Sequence, residues 1–159
     1  IKAARDSNTN RISIMLHKGA DTFMADEQFR TFYWPSLKRP LVALTEAGIT
    51  PCAYIEGGYN SRLEYFDELP EGKIIAHFDK TDLFMAKKII GKRVCICGNV
   101  PVSLMQFGKP DEIKDYCSKL IETVGRDGGY IMSTSSVMDE VDPANLRIMI
   151  EHTWEHGVY

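Results

Sequence analysis

The feature that most limits what this chain can fold into is a repeated alternation of short β-rich runs with helical patterns. Four runs stand out, PCAYIEGG (51–58), KIIAHFD (73–79), RVCICGN (93–99) and GGYIMSTSS (128–136), and each ends in polar or glycine residues. After the third, KPDEIKDYCSKLIETVG places Ile113, Tyr116, Cys117, Leu120, Ile121 and Val124 at helical spacing behind Pro110, which suits a first turn. After the fourth, Asp142 can cap and Pro143 can begin a helix whose apolar face is Leu146, Met149 and Ile150. TDLFMAKKIIG gives a short helix closed by Gly91, and SRLEYFDELP a shorter one. Upstream, Phe29, Phe32, Tyr33, Leu37, Leu41 and Leu44 recur at helical spacing while Pro35 and Pro40 interrupt them. A kinked helix capped by Asp26 is expected there.

The order is βαβαβαβα, with no internal repeat, low-complexity stretch or linker, so residues 1–159 are read as a single unit. Alternating β/α units imply a parallel sheet, and right-handed crossovers put the helices outside it. An open doubly wound sheet and half of an eight-stranded barrel both fit this alternation, which does not choose between them. A chain that begins on Ile1 rather than Met is expected to be part of a longer one. Half a barrel leaves sheet edges and apolar faces uncovered, so it is expected to form a homodimer unless the rest of the barrel is present.

Charge and hydropathy remove whole classes of function. The formal net charge is −3 and no cluster of Lys and Arg departs from it, which disfavours nucleic acid and anionic membrane surfaces as partners. No apolar run approaches the roughly 20 residues that cross a bilayer, and the opening IKAARDSNTN has no signal-peptide core, so a cytoplasmic location is expected. The four cysteines, Cys52, Cys95, Cys97 and Cys117, lie in apolar stretches without a disulfide framework and read as reduced core residues.

In either architecture the chemistry gathers at the C-terminal ends of the strands. Those ends supply Tyr54 and Glu56, then His77 and Asp79, then Cys97 and Asn99, then Ser133 to Ser136. Glu56 and His77 are the informative pair, because both stand in apolar strand contexts where an unpartnered carboxylate is costly to bury. Hydrogen-bonded neighbours would resolve that cost, and so would a metal ion. His17 and Asp21, in a loop with Gly19, either face a ligand or are ordinary loop polarity. His152 and His156 share a helix face, but near a helix end they fit the negative dipole and are not assigned as ligands. The glycines form no phosphate-binding fingerprint.

The C-terminal segments carry a resemblance. Gly98-Asn99-Val100-Pro101, Phe107-Gly108-Lys109-Pro110-Asp111-Glu112, Gly128-Gly129-Tyr130-Ile131 and Asp142-Pro143-Ala144-Asn145-Leu146 resemble, in order and spacing, the uroporphyrinogen decarboxylase superfamily. The resemblance covers roughly residues 19–159. It implies an α/β fold in which four consecutive β/α units form the C-terminal half of a (β/α)8 TIM barrel. Decarboxylases of the superfamily carry a Gly-His-Gly segment after the final strand, where this chain has Thr134-Ser135-Ser136. The corrinoid-dependent methyltransferases hold zinc with a His-x-Cys pair and a late cysteine, places taken here by Tyr54-Ile55-Glu56 and the neighbourhood of Ser136.

Segments Glu56-Gly57-Gly58-Tyr59-Asn60-Ser61-Arg62-Leu63-Glu64 and His77-Phe78 are similar to the first methyltransferase of anaerobic O-demethylase systems. The resemblance implies zinc on Glu56, His77 and an unassigned third ligand, acting on the ether oxygen of a methoxylated aromatic. It also implies a partner protein that carries a corrinoid (cobalamin) and receives the methyl group. Tyr54, Asn60, His17, Asp21 and Asn99 are the candidate pocket residues, and the half alone is expected to be inactive. A porphyrinogen decarboxylase and a non-catalytic binding module stay open as alternatives.

Overall fold

The computed structural model describes residues 2, 6 and 9–158; residues 1, 3–5, 7, 8 and 159 of the single unit lie outside the described residues. Five parallel strands form one sheet in the order β1-β2-β3-β4-β5: β1 Arg11–Leu16, β2 Thr50–Ile55, β3 Ile75–Phe78, β4 Cys95–Cys97 and β5 Tyr130–Ile131. Each strand pairs with the next in sequence, and the order never reverses. A doubly wound sheet needs such a reversal so that right-handed crossovers can cover both faces. Without one, every helix falls on the same side and the other face becomes the inside of a partial barrel. The strand order therefore decides what the alternation of elements left open.

The first strand departs from the sequence reading, which has four runs and begins the fold at the kinked helix. Arg11–Leu16 pairs residue by residue with Thr50–Ile55, so a fifth β/α unit precedes the four. The helix that follows, α1, runs from Asp26–Gln28 through a π turn at Phe29–Tyr33 into Trp34–Glu46. In the π turn Trp34 N–H donates to Phe29 O, which seats Pro35, a residue with no N–H to give, at the start of the next α segment. Asp26 does not cap this helix. The N-cap is Ala25, with no side-chain bond, and the Asp26 carboxylate is instead drawn to the guanidinium of Arg62.

A 3₁₀ helix, Asn60–Glu68, joins β2 to β3, and α2, Leu83–Ile90, follows with Asp82 accepting from Phe84 N and Met85 N. After β4 come a short helix the sequence reading lacks, α3 (Val102–Phe107), and then α4 (Pro110–Leu120), which ends in a π turn. The chain closes with α5, Pro143–His156, capped by Asp142 with Pro143 in its first turn as expected. Among the described residues no helix is long and apolar enough to cross a membrane.

Strand side chains alternate between the two faces, and the burial pattern says which face is which. Ala53, Ile55, Ala76, Phe78 and Ile96 are fully or almost fully buried and pack on Leu41, Phe66, Ala86, Ile113, Leu120 and Met149 of the helical layer. The residues between them, Cys52 and Tyr54 on β2 and Cys95 on β4, are half-buried, and Met15 and Ile131 are exposed. These lie on the inner face. Cys52, Cys95, Cys97 and Cys117 form no disulfide among the described residues.

Candidate functional site

Register places the site. Met15, Tyr54, His77, Cys97 and Ile131 pair across the five strands at one level of the inner face. Two residues further on, at the C-terminal rim, come His17, Glu56, Asp79 and Asn99. Roughly 6.6 Å of strand rise and one inter-strand spacing of about 4.8 Å separate Glu56 from His77 along the backbone.

The two residues singled out for metal chemistry have well-defined partners. Glu56 Oε2 lies 2.5 Å from His17 Nδ1, and both side chains are exposed. An ionised carboxylate only accepts, so Nδ1–H of His17 donates and one carboxylate oxygen is held. Among the described residues no hydrogen bond engages Glu56 Oε1. His77 is buried, with Nε2 2.7 Å from the carbonyl oxygen of Thr134 and its ring edge-on to Tyr54 at 4.6 Å. A carbonyl accepts only, so Nε2 carries a proton, and in the neutral imidazole Nδ1 keeps the lone pair. Gly98 makes room for this arrangement, since a Cβ there would stand 2.6 Å from Phe78 O and 3.2 Å from the His77 ring.

The other predicted pocket residues are largely engaged in lacing the rim loops together. Asn99 is buried, and its Nδ2 donates to Asp79 O at 3.0 Å and Thr81 O at 2.8 Å. Asn60 Oδ1 accepts from Asp82 N at 2.9 Å. Asp21 accepts from Ser61 Oγ at 2.8 Å and from Ser61 N at 3.2 Å, while Asp79 Oδ2 accepts from Gly57 N at 3.2 Å. Tyr54 keeps to the inner face against His77. A cleft of about 770 Å³ opens beside the mouth, among the loops that follow β3, β4 and β5. Asp79, Asn99, Phe84, Tyr116, Val137 and the hydroxyls of Ser103, Ser135 and Ser136 line it.

Sequence reasoning missed three groups. Arg62, placed on the face of a short helix, is buried at 2% exposure over the Phe29 ring, with Asp21, Asp26 and Met24 O around it. Tyr33 and Tyr59 join hydroxyls at 3.5 Å beneath His17, and burial raises both phenols, Tyr59 well above its ordinary range. Tyr116, read as an apolar helix position, puts its hydroxyl 3.5 Å from Asn99 Oδ1. In sequence Tyr59 and Arg62 stand within the Glu56–Glu64 segment and Tyr33 and Tyr116 at helical spacing, which does not show these contacts; at Gly19 a Cβ would fall 2.1 Å from Tyr59 Oη. His152 and His156 stack at 4.1 Å, and His152 Nε2 bonds to Ser118 Oγ at 2.8 Å. Parallel rings do not converge their lone pairs on one point.

Residues 8–156 match the uroporphyrinogen decarboxylase (URO-D) family. The chain belongs to that family. It is 24% identical over 164 residues to the uroporphyrinogen decarboxylase of Chlorobium phaeobacteroides, an alignment covering 94% of this chain and 46% of that relative. It is 31% identical over 80 residues to the enzyme of Chlorobium phaeovibrioides, covering 48% of this chain and 22% of that one. The chain thus spans about half the length of the first of these curated relatives, or less. Among solved structures it is similar to a methyltransferase from Methanosarcina mazei, with a TM-score of 0.76 at 18% identity over 96% of this chain and 44% of that one. That likeness is one of fold, and it agrees with the partial (β/α)8 barrel read from the strand order.

Within the family the Thr134–Ser136 segment now has a structural meaning. The chain turns the Thr134 carbonyl onto His77, and Ser135 and Ser136 line the cleft.

Proposed function

We propose that this chain is the C-terminal part of a methyltransferase that moves a methyl group from a methoxylated aromatic compound to the Co(I) corrinoid of a partner protein. The single observation that carries the reading is the lock on His77, whose Nε2–H is spent on Thr134 O so that Nδ1 keeps a free lone pair. A metal-binding imidazole is held in this way, with its other nitrogen donating to a carbonyl or carboxylate. Glu56 adds a carboxylate oxygen without a partner, and the two residues suit zinc as a nitrogen and an oxygen donor. Among the described residues no three His, Cys, Asp or Glu side chains converge as a preformed cage, so a zinc held by Glu56 and His77 would have to draw the two donors together and take its third ligand from elsewhere. Bound there, zinc would supply Lewis acidity toward the ether oxygen on which negative charge develops as the methyl–oxygen bond breaks.

The chain's own residues then do three things. Tyr54 and Thr134 fix the His77 ring. Phe84, Val102, Tyr116 and Val137 offer apolar walls to an aromatic ring in the cleft, and Ser103, Ser135 and Ser136 offer hydroxyls to its substituents. Asn99, Asn60 and Asp21 hold the rim loops so that these groups keep their places. Decarboxylation of a porphyrinogen is the second reading, favoured by the names of the curated relatives and opposed by the missing Gly-His-Gly histidine.

Metal analysis of the protein beside Glu56→Gln and His77→Ala tests the proposal. Stoichiometric zinc in the parent and its loss in both variants is expected. Stoichiometric zinc in both variants would overturn the assignment.

A further inference from the structure

The geometry points to His17 as a positioning residue that aims the Glu56 carboxylate at the metal, an inference that rests on the metal reading above. Leu16 and Ile55 are paired in register, and Glu56 N–H donates to Leu16 O at 3.3 Å, so the next residue of each strand must leave the sheet side by side. Their side chains meet at 2.5 Å between Nδ1 and Oε2. A glutamate on an open rim has several rotamers to lose when a metal fixes it. The donated hydrogen bond takes one oxygen out of that search and leaves Oε1 presented.

His17 is itself held more firmly than an exposed histidine requires. Tyr33 Oη donates to His17 O at 3.0 Å, and Tyr33 is backed at 3.5 Å by the hydroxyl of Tyr59, which has no exposed surface. Gly19 permits the approach, because any Cβ there would overlap Tyr59 Oη at 2.1 Å and the Tyr33 ring at 2.8 Å. Burial keeps both phenols protonated at neutral pH, so they stay donors. A solvent-exposed His–Glu pair contributes little stability by itself. A buried Tyr59 and a half-buried Tyr33 behind the backbone of such a pair make sense as a brace for the place of Glu56.

Chelator competition for zinc, with the visible spectrum of the cobalt(II)-loaded protein as a second readout, decides the point across the parent, His17→Ala, His17→Asn, Glu56→Gln and His77→Ala. His17→Ala is expected to weaken zinc about 10- to 100-fold and to shift the cobalt spectrum. His17→Asn, whose amide N–H falls near the Nδ1 position, is expected to recover most of both. Thermal melting of His17→Ala should match the parent, since both side chains are exposed. If His17→Ala binds like the parent while Glu56→Gln and His77→Ala lose metal, the positioning role falls and the metal site stands. If the parent binds none, or Glu56→Gln and His77→Ala bind as it does, the metal reading falls and takes the role of His17 with it.

Discussion

Arg62 shows how a single side chain can tie this rim together. Its guanidinium is buried over Phe29, ion-pairs with Asp26 and Asp21, and donates to Met24 O, so it joins the 3₁₀ helix to the entry of α1. Removing it loses packing and several charged bonds at once. Arg62→Ala is expected to cost about 3 kcal/mol in chemical denaturation, whereas a loss within about 0.5 kcal/mol would mark the cluster as ordinary surface. Cysteine chemistry gives a second test at this scale. Burial, with help from Cys95, pushes the Cys97 thiol up to about 12, and burial alone pushes Cys117 up to about 11. Both stay protonated at neutral pH and are poor nucleophiles. Iodoacetamide should modify them only after unfolding, and mass spectrometry showing native Cys97 alkylated as fast as in urea would contradict the burial.

Element by element, legibility followed the strength of each local signal. The α4 and α5 helices both begin on proline, α4 with Asp111 and Glu112 in its first turn and α5 behind the Asp142 cap, and they stand where the sequence puts them. The β1 strand was not legible because Arg11–Leu16, although six residues long, is interrupted by Ser13 and buries only Leu16 fully, its inner-face residues opening onto the barrel interior. The β4 and β5 runs read longer than the strands Cys95–Cys97 and Tyr130–Ile131, because beyond these the ladder continues only as the isolated Val100–Thr134 bridge. The His17–Glu56 contact was hidden with β1, for only the register of β1 on β2 brings those residues together.

The packing of α5 on α4 also carries a pH dependence. His152 is nearly buried there and bonds to Ser118, facing Lys114 and Asp115 of α4 and Glu151, Glu155 and His156 of α5. Burial, then His156 and Lys114, hold its imidazole below the ordinary 6.5, against an opposing pull from Glu155 and Asp115. The unfolded chain therefore takes up the proton first as pH falls through 6.5, and stability present above that value is lost below it. Melting temperatures between about pH 7.5 and 5.5 should fall more for the parent than for His152→Asn, and equal slopes would remove His152 as the cause.

At the scale of the whole molecule, five consecutive strands wound in one direction leave β1 and β5 as open edges and Met15 and Ile131 exposed on the inner face. Such edges and apolar surface favour self-association, so sedimentation of the 159-residue chain is expected to show a concentration-dependent dimer, and a monomer at every concentration would count against it. Family membership follows from residues 8–156, and the methyl-transfer chemistry proposed for the chain rests on its rim. A fixed His77, a presented Glu56 and serines in place of the decarboxylase histidine argue for methyl transfer. The most direct measurement supplies the full-length protein that contains this chain with a methoxylated arene and a reduced corrinoid protein, and in parallel with uroporphyrinogen alone. The account predicts phenol release matched by loss of the Co(I) absorbance, and no carbon dioxide from the porphyrinogen. Carbon dioxide and a decarboxylated porphyrinogen, with the arene untouched, would contradict it.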